Sequence, residues 1–450
     1  LSMDGLSIYK TQKRTSWTDD DINNWFWSYE VKDGFNNTLK ELSLGDKGDT
    51  IAIIHKYDNQ NLKIAESLPL STGDTDTIWT EFTHDIYGNV DTIKTDLSVT
   101  AFQINPKNNS ITKTISTNTG LERVTVTYYT PSGKIDHIID AEGGETQYYY
   151  DLLDREILIR DPSKIVTNIK YNSLGDKLKI TSEDIGTRLY AYTNGLLTQE
   201  VSGSGNNAID YTYDLAGRVT SKLLKWNNGE NTKKIIYTFD GDANENLKGQ
   251  LASVAQIEQD TISSSFFTYN TQGNIATVVT SLGQDNSYTF SYQYGPQGNM
   301  IGMTYPDQSV VQYDHYENGL LKSIELAQWS GGKLGQFEPF VAYENYTSIG
   351  QAQAISYLNG ANDVFLYDQK TNLLKQHHMT ISSDTMIHAH YVWDDLYQLD
   401  SIKDLRTSGN THDTLRFYND SQAFWHSKNG RLDSAYAPYT YGMKRYNYSA

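Results

Sequence analysis

The residues of this chain best suited to metal chemistry are two histidines two positions apart, His388 and His390. Alternate residues of a β-strand project to one face, so both imidazoles would point the same way. His377 or His378 could add a further nitrogen ligand, as in zinc sites. The alternative is a pair of histidines on a solvated strand face without a metal.

Oxygen ligands suited to calcium occur at Asp240, Asp242 and Asn244, the alternate positions that open an EF-hand loop. Glu245 stands where that loop needs glycine, and Leu251 stands where it needs a bidentate glutamate. An ordinary polar hairpin loop explains the same residues without calcium.

A second set of oxygen ligands lies near the start of the chain, at Asp19, Asp21, Asn23 and Glu30. Here Asn24 takes the place of the glycine. A capping residue before a short helix within Asp19–Tyr29 explains this set equally well. Both calcium assignments therefore compete with a purely structural role.

Two further segments contain residue types suited to binding or catalysis. The aromatic run Trp25–Trp27 could stack on a sugar, or could plug the end of a sheet. The segment Gly203–Gly205 contains a serine between glycines but lacks the strand–turn–helix context of a nucleophile elbow. No Ser/His/Asp set or carboxylate pair has catalytic spacing, which predicts that the chain is not an enzyme and needs no cofactor.

The elements that would position these side chains follow a repeat of 21 residues. Its clearest anchors are five evenly spaced tyrosines, Tyr129, Tyr150, Tyr171, Tyr192 and Tyr213. The phase continues with insertions at Phe239, Tyr269, Tyr294, Tyr316, Tyr346, Tyr367 and Trp393. Weaker copies lie upstream, around Tyr57–Leu62 and His84–Val90. Such self-similarity indicates a repeat architecture.

Each repeat has the pattern of a β-hairpin. Residues alternate before the anchor, as in Ile209–Tyr213, and Asp214 then opens a turn. Gly217 falls where a type I turn with a bulge requires positive φ. Glycines in the same place follow other anchors, at Gly273, Gly298 and Gly319. Where glycine is replaced, as by Asp154 and Asn372, the substitute tolerates a left-handed backbone.

Composition narrows the function further. The 450 residues include 34 Tyr and carry a formal net charge of −18, which repels nucleic-acid phosphates. There is no Cys, so disulfides and thiolate metal sites are excluded. No run of 18 apolar residues occurs, so no transmembrane helix is predicted. The acidic charge suits a basic cargo, a cationic partner or divalent cations, and the absence of Cys favours an exported protein.

Three motifs resemble the YD/RHS-repeat family. The segment Asp161–Gly175 is close to DPxGxxTxYxYDxxG, with Lys164 in place of glycine. Tyr305–Tyr313 is similar to YPDGxxVxY, with Gln308 in place of glycine, and Asn246–Val254 is similar to GKGRLTSV. The likeness is strongest between residues 76 and 405.

The resemblance implies an all-β fold in which tandem hairpins form a spiralling β-strip, part of a hollow shell. In bacterial members the shell encloses a C-terminal toxin, as in Tc toxin components; in teneurin-like relatives similar shells support adhesion. We therefore expect a secreted or cell-surface shell segment whose partner is an enclosed cargo or another toxin subunit. The alternative is an adhesion module that binds a cell-surface glycan. The family's aspartate autoprotease motif has no counterpart in this sequence.

Two regions are predicted: an irregular leading segment with weak repeats over 1–75, and a repeat array over 76–450. Because adjacent hairpins would pair continuously, we expect one cooperative unit.

Overall fold

The computed structural model describes residues 2–3, 6–13, 26–71, 76–203, 207–240, 248–258, 261–283, 286–406, 422–429, 431–437 and 442–445. Every regular element in these ranges is a β-strand. The strands are β1 (Ser2–Met3), β2 (Leu6–Lys13), β3 (Phe26–Lys32), β4 (Thr38–Leu44), β5 (Thr50–Tyr57), β6 (Lys63–Ser67), β7 (Leu70–Ser71), β8 (Trp79–His84), β9 (Val90–Lys94), β10 (Ser98–Asn105), β11 (Ser110–Thr117), β12 (Glu122–Tyr129), β13 (Ile135–Ile139), β14 (Glu145–Tyr150), β15 (Glu156–Arg160), β16 (Val166–Tyr171), β17 (Lys177–Ser182), β18 (Gly186–Thr193), β19 (Leu196–Ser202), β20 (Asn207–Tyr213), β21 (Val219–Trp226), β22 (Asn231–Phe239), β23 (Leu251–Glu258), β24 (Thr261–Tyr269), β25 (Ile275–Leu282), β26 (Asn286–Tyr294), β27 (Met300–Thr304), β28 (Val310–His315), β29 (Leu321–Ala327), β30 (Trp329–Ser330), β31 (Lys333–Leu334), β32 (Glu338–Tyr346), β33 (Ala352–Tyr357), β34 (Ala361–Tyr367), β35 (Leu374–Ile381), β36 (Asp384–Trp393), β37 (Leu399–Asp404), β38 (Gln422–His426), β39 (Leu432–Ala437) and β40 (Gly442–Arg445).

The strands form one long antiparallel strip in chain order. Each hairpin pairs with the hairpins before and after it, and β6 pairs with β8 across the start of the predicted array. The short strand β7 adds to β5, while β30 and β31 form a separate small hairpin. The all-β class and the repeat-by-repeat pairing predicted from the sequence are confirmed.

One local prediction was wrong. The short helix expected within Asp19–Tyr29 is replaced, over Phe26–Tyr29, by the strand β3, which pairs with β2 and β4. Aromatic residues favour a pleated, half-buried surface, and two pairing partners outweigh weak local helix propensity. Residues 19–25 lie outside the described residues.

Across β25–β29 the two faces of the strip differ in chemistry. Because directly paired residues share a face, Tyr292, Met303, Val311 and Leu326 lie in one row of what we call the aromatic face. The opposite, polar face carries a row of small and polar residues, Thr277, Ser291 and Thr304. Among the described residues no large side chain is completely buried, so the strip has no thick central core.

The strip has two edges made of turns. Turns that follow the anchor positions line the front edge, at 33–37, 58–62, 85–89, 130–134, 151–155, 172–176, 193–196, 214–218, 270–274, 295–299, 316–320, 347–351, 368–373, 394–398 and 427–429. Turns between repeats line the back edge, among them 45–49, 95–98, 117–121, 140–144, 161–165, 183–185, 227–230 and 305–309. Successive front turns touch sideways; for example, Arg155 Nη1 donates to Asn172 O at 2.9 Å.

The strip coils back onto itself along a seam, where back turns of the first coil meet front turns of the second. The backbone N–H of Thr119 donates to Asp395 Oδ2 at 3.1 Å, and Tyr346 N–H donates to Asp46 Oδ2 at 3.0 Å. Hydrogen bonds across the seam join residues 275 to 300 positions apart. One coil therefore takes more than half of the chain.

Within the described part of the chain, no helix has the length and apolarity required to traverse a membrane.

Candidate functional site

The tyrosine anchors form a ladder of hydrogen bonds that runs from repeat to repeat. In each rung of this ladder the hydroxyl donates to the carbonyl of the residue that pairs with the preceding anchor position. Tyr171 OH, for example, donates to Glu156 O at 2.9 Å, and Glu156 pairs with Tyr150. Equivalent bonds are made by Tyr150 to Ile135 O (2.8 Å), Tyr213 to Leu197 O (2.7 Å), Tyr269 to Leu251 O (2.9 Å) and Tyr367 to Ala352 O (3.3 Å).

This ladder explains the residue type at the anchor. The ring packs on the aromatic face, while the hydroxyl donates to a backbone carbonyl of the preceding repeat. Trp393 does the same with its indole N–H, which donates to Leu374 O at 2.7 Å. Burial raises the pKa of Tyr150, Tyr171 and Tyr269, so these hydroxyls keep the proton that they donate.

The turn beyond each anchor has the predicted geometry. Gly217 N donates to Asp214 O, and Asp214 Oδ1 accepts the backbone N–H of Ala216 at 2.9 Å. Gly217 has φ 79°, and Asp154 and Asn372 hold the same left-handed conformation at φ 58° and 57°. The back turns follow the same rule with other residues, since Lys164 has φ 69° and Gln308 has φ 71°.

An arginine clamp, which sequence analysis missed, links neighbouring front turns. Arg218 donates to Asp214 in its own turn (2.7 Å) and to Asp240 in the next (2.6 Å). Its guanidinium also lies 4.5 Å from the centroid of the Phe239 ring. Hydrogen bonds from Arg218 hold the pKa of Asp214 and Asp240 below its usual value, so both carboxylates stay charged. The sequence signal is an arginine four residues after the turn aspartate, as also in Arg155 after Asp151.

The anchor positions near residues 315 and 239 depart from the ladder. His315 pairs with Leu321 at the bulge, so Tyr316 lies one residue further on, at the first turn position. Its hydroxyl donates to Tyr343 O at 3.0 Å. Phe239 pairs with Leu251 as an anchor does, but it has no hydroxyl. The repeat therefore tolerates single gaps in the ladder.

The histidines predicted as zinc ligands lie on the polar face. His388 pairs with His378, with ring centroids 4.7 Å apart, and His388 Nε2 lies 2.6 Å from the side-chain amide of Gln376. His390 pairs with Gln376, whereas His377 turns to the aromatic face and contacts Asp363 at 2.7 Å. Among the residues that the structure describes, no three His, Asp or Glu side chains are arranged to hold a metal.

Of the calcium candidates, Asp240 is described, and its carboxylate contacts Arg218. Asp242 and Asn244 lie outside the described residues, as do Asp19, Asp21 and Asn23. Glu30 lies on β3 and pairs with Lys32 at 3.0 Å. Zinc and calcium binding at these residues stay hypotheses beside the structural alternatives. The side chains of Trp25–Trp27 and the serine of Gly203–Gly205 also fall outside the described part.

Sequence analysis also missed the seam residues, of which Asn429 makes the most contacts. Its side-chain amide donates to Asp140 Oδ2 at 2.8 Å, and its carbonyl oxygen accepts Ala141 N–H at 3.1 Å. Its backbone N–H donates to Glu142 Oε1 at 3.3 Å. No sequence signal marks these partners, because they lie nearly 290 positions apart.

Comparison with known proteins agrees with this geometry. The family model described as the teneurin YD-shell matches residues 97–235. No curated protein sequence matches the chain significantly.

Several solved structures share the fold. The crystal structure of TcdB2-TccC3-TEV superposes with a TM-score of 0.76 at 15% identity, over 96% of this chain and 24% of that one. TcdB2-TccC3 gives 0.73 at 15% identity, over 96% and 25%. A Photorhabdus luminescens Tc holotoxin pore gives 0.70 at 15% identity, over 96% and 24%. The chain thus spans about a quarter of the length of these proteins. Its all-β strip shares the fold of these structures, and residues 97–235 match the teneurin YD-shell family model.

Proposed function

We propose that this strip is a wall segment of a hollow shell, in a secreted bacterial protein, that encloses a C-terminal toxin or another unstable cargo. The observation that carries the proposal is the seam, because a strip that coils onto itself surrounds a volume instead of filling it. The wall acts by sequestration and not by catalysis. It keeps the cargo from proteases and from premature contact until release.

The chemistry of the two faces supports an orientation for the wall. A shell's outer surface always meets water, so the polar face, with Thr277, Ser291 and Thr304, would point outward. The aromatic face would then line the lumen, where Phe290 and Tyr292 present apolar rings. Such a surface suits an unfolded polypeptide, whose own apolar side chains are not packed.

We propose that the predicted regions 1–75 and 76–450 form one cooperative wall. Strand pairing passes between them without interruption, since Glu66 of β6 pairs with Thr80 of β8. A repeat array unfolds through its neighbour contacts, so a continuous ladder couples both regions. The partner expected for this wall is the cargo or another subunit of a toxin complex. No contact among the described residues favours glycan binding.

Limited proteolysis of the parent polypeptide tests enclosure. The internal reference is the small hairpin around Gly331 and Gly332, which projects from the wall. Enclosure predicts that the segment following the repeats is cut much more slowly than this hairpin. Equal rates for both sites would refute it.

A pair of variants separates enclosure from simple stability of the cargo. Asn429→Ala removes the side-chain contacts to Asp140 and Ala141 and should loosen the seam, so the cargo segment becomes sensitive to protease. Lys322→Ala removes an exposed ion pair with Asp314 and should leave protection unchanged. Protection that is equal in both variants would show that the coil does not provide the barrier.

A further inference from the structure

The polar face of the strip changes charge along its length. Between β15 and β25 the described charged side chains of this face are one carboxylate and five cations, Asp210, Arg160, Lys170, Lys179, Lys225 and Lys234. On either side the same face carries carboxylates, Glu145 on β14 and Asp314 and Glu325 on β28 and β29. A chain with a formal net charge of −18 therefore has one basic stretch on this face.

Three lysines of this stretch have no carboxylate partner among the described residues. Asp210 neutralises Lys225, because its Oδ2 lies 2.5 Å from the lysine Nζ. In the part of the chain that the structure describes, no ion pair involves Lys170, Lys179 or Lys234, and the first and last of these are exposed. We call these three lysines the basic tract.

Two lysines of the basic tract oppose each other directly. Lys170 of β16 pairs with Lys179 of β17, so their Cβ atoms lie about 5 Å apart on one face. Like charges at directly opposite positions lower the stability of a sheet. The hairpin does not require them, since it is specified by the anchor, the turn aspartate and the glycine. A local cost without a structural return is typical of a functional site.

Apolar side chains lie beside the lysines. Leu189 pairs with Lys179 in the same row and is 44% exposed. From Lys234 the row of paired residues continues to Ile257 and Ile262, and Ile262 is 51% exposed. Exposed apolar side chains that are grouped on one surface mark an interaction site. A molecule that matches this surface needs both acidic and apolar groups.

We propose that the basic tract, together with Leu189 and Ile262, is a docking surface for a separate acidic polypeptide. Lys179 on β17 and Lys234 on β22 are five strand spacings apart, about 24 Å, which an extended segment of about seven residues spans. The segment that fits has acidic side chains at both ends and apolar side chains between them. The inference does not depend on enclosure, since a shell without a cargo presents the same tract.

The apolar side chains favour a polypeptide over other anions. Nucleic acids and sulfated sugars offer negative charge but no aliphatic groups for Leu189 and Ile262. An anionic membrane takes up apolar side chains that reach into its interface. Leu189 and Ile262 lie on strands within a sheet face and are about half covered by their neighbours, so they suit contact with another side chain better than insertion.

Fluorescence anisotropy of a labelled copolymer of glutamate and tyrosine, titrated with the full chain, tests the proposal. The wild-type chain should bind the copolymer at low ionic strength, and added salt should weaken the binding because it screens the charges. The test variant reverses the charge of the basic tract, by Lys170→Glu, Lys179→Glu and Lys234→Glu. It should bind at least about tenfold more weakly, since three attractive contacts become repulsive.

A matched control separates the basic tract from net charge. It makes the same number of charge reversals at exposed lysines in turns and in the small hairpin, Lys107→Glu, Lys134→Glu and Lys333→Glu. It should bind within about threefold of wild type, since distant charges are screened. A wild-type chain that does not bind the copolymer, or equal weakening of both variants, overturns the proposal. Binding to phosphatidylglycerol vesicles but not to the copolymer would identify a membrane surface and overturn the polypeptide.

A single charge reversal separates binding from stability. Lys179→Glu turns the like-charge pair with Lys170 into an attractive one, so the urea midpoint of the full chain should rise. The same variant should bind the copolymer about threefold more weakly. A variant that is stabilised but binds as tightly as wild type would show that the lysine pair does not serve a partner.

Discussion

Removal of a single hydroxyl, in Tyr269→Phe, tests whether the tyrosine ladder holds the repeats together. Tyr269 is 9% exposed, and its hydroxyl donates to Leu251 O at 2.9 Å, in the preceding repeat. The phenylalanine ring fills the same space, so packing is preserved and the hydrogen bond alone is lost. Leu251 is paired with Phe239 at a bulge, where the ladder of backbone hydrogen bonds is locally disrupted.

The magnitude follows from that geometry. A neutral hydrogen bond contributes about 1 kcal/mol net, and a buried acceptor left without its donor raises the loss to about 1–2 kcal/mol. We expect the free energy of unfolding in urea to fall by that amount. Amide hydrogen exchange should quicken in β23 and β24, the strands that the bond connects, before it changes elsewhere.

Tyr149→Phe is the matched control. Tyr149 is 43% exposed, and its hydroxyl contacts only the nearby side chain of Gln147 among the bonds described, so its loss should change stability by less than about 0.5 kcal/mol. Equal effects of the two substitutions would refute the ladder as a stabilising device.

The reverse experiment adds a hydroxyl at an anchor position that lacks one. Phe239 stands at an anchor position without a hydroxyl, and Val219 is the residue paired with the preceding anchor, Tyr213. Phe239→Tyr should donate to Val219 O and raise the free energy of unfolding by up to about 1 kcal/mol. A destabilised variant would show that the hydroxyl cannot be accommodated there, and that the ladder is not a rule of the repeat.

Three further predictions concern strain and titration. Lys164→Gly should raise the free energy of unfolding in urea by about 0.5–1 kcal/mol, because it relieves left-handed backbone strain of about 1–2 kcal/mol, which exceeds the entropy cost of glycine. The control Lys170→Gly lies in a strand and should lower the free energy of unfolding. Burial raises the pKa of Tyr346 and Tyr357 to about 12, above the value near 10 of an unfolded chain. The free energy of unfolding should therefore fall as pH rises from about 10 to 12. Urea midpoints that stay constant over this range would refute the prediction. Burial, with His378 nearby, lowers the pKa of His388, so the unfolded chain takes up this proton first and stability should decline as pH falls below about 6.5; an NMR titration of His388 showing an ordinary or raised pKa would contradict it.

The repeat could be predicted from sequence because its determinants are local. A tyrosine, an aspartate one residue later and a glycine three residues after that specify a strand end, a turn and a left-handed position. Tyr213, Asp214 and Gly217 show all three in the structure. The anchor at Tyr316 was placed one residue late, because tyrosines in these strands are so frequent that residue type alone does not fix the phase.

The carbonyls that accept hydrogen bonds from the tyrosine hydroxyls could not be predicted from the sequence, for a different reason. Tyr171 donates to a carbonyl 15 residues back, and a carbonyl belongs to every residue type, so no sequence letter marks Glu156 as the acceptor. The metal candidates failed to assemble because strand periodicity sends neighbours to opposite faces. His377 and His378 are adjacent in sequence, yet His377 stacks on Phe365 while His378 faces His388.

The seam was the least predictable feature, and it decides the architecture. Each repeat specifies its own hairpin and its pairing with the next one, but the length of a coil depends on the small twist and bend added at every bulge, summed over many repeats. The hydrogen bonds that join the coils span 275 to 300 residues, and their polar groups, such as Asn429 and Asp395, look like ordinary turn residues.

The register of the seam depends on the number of repeats in one coil. Insertions that lengthen a hairpin away from the edges leave the total twist and bend of the coil unchanged. A change in the number of repeats within one coil would move every later seam contact to the neighbouring β-turn, because the front and back edges share one spacing. The register of the seam is therefore set by the array as a whole and not by any single repeat. Polar turn residues are compatible with this, since they can form hydrogen bonds at any of the equivalent positions.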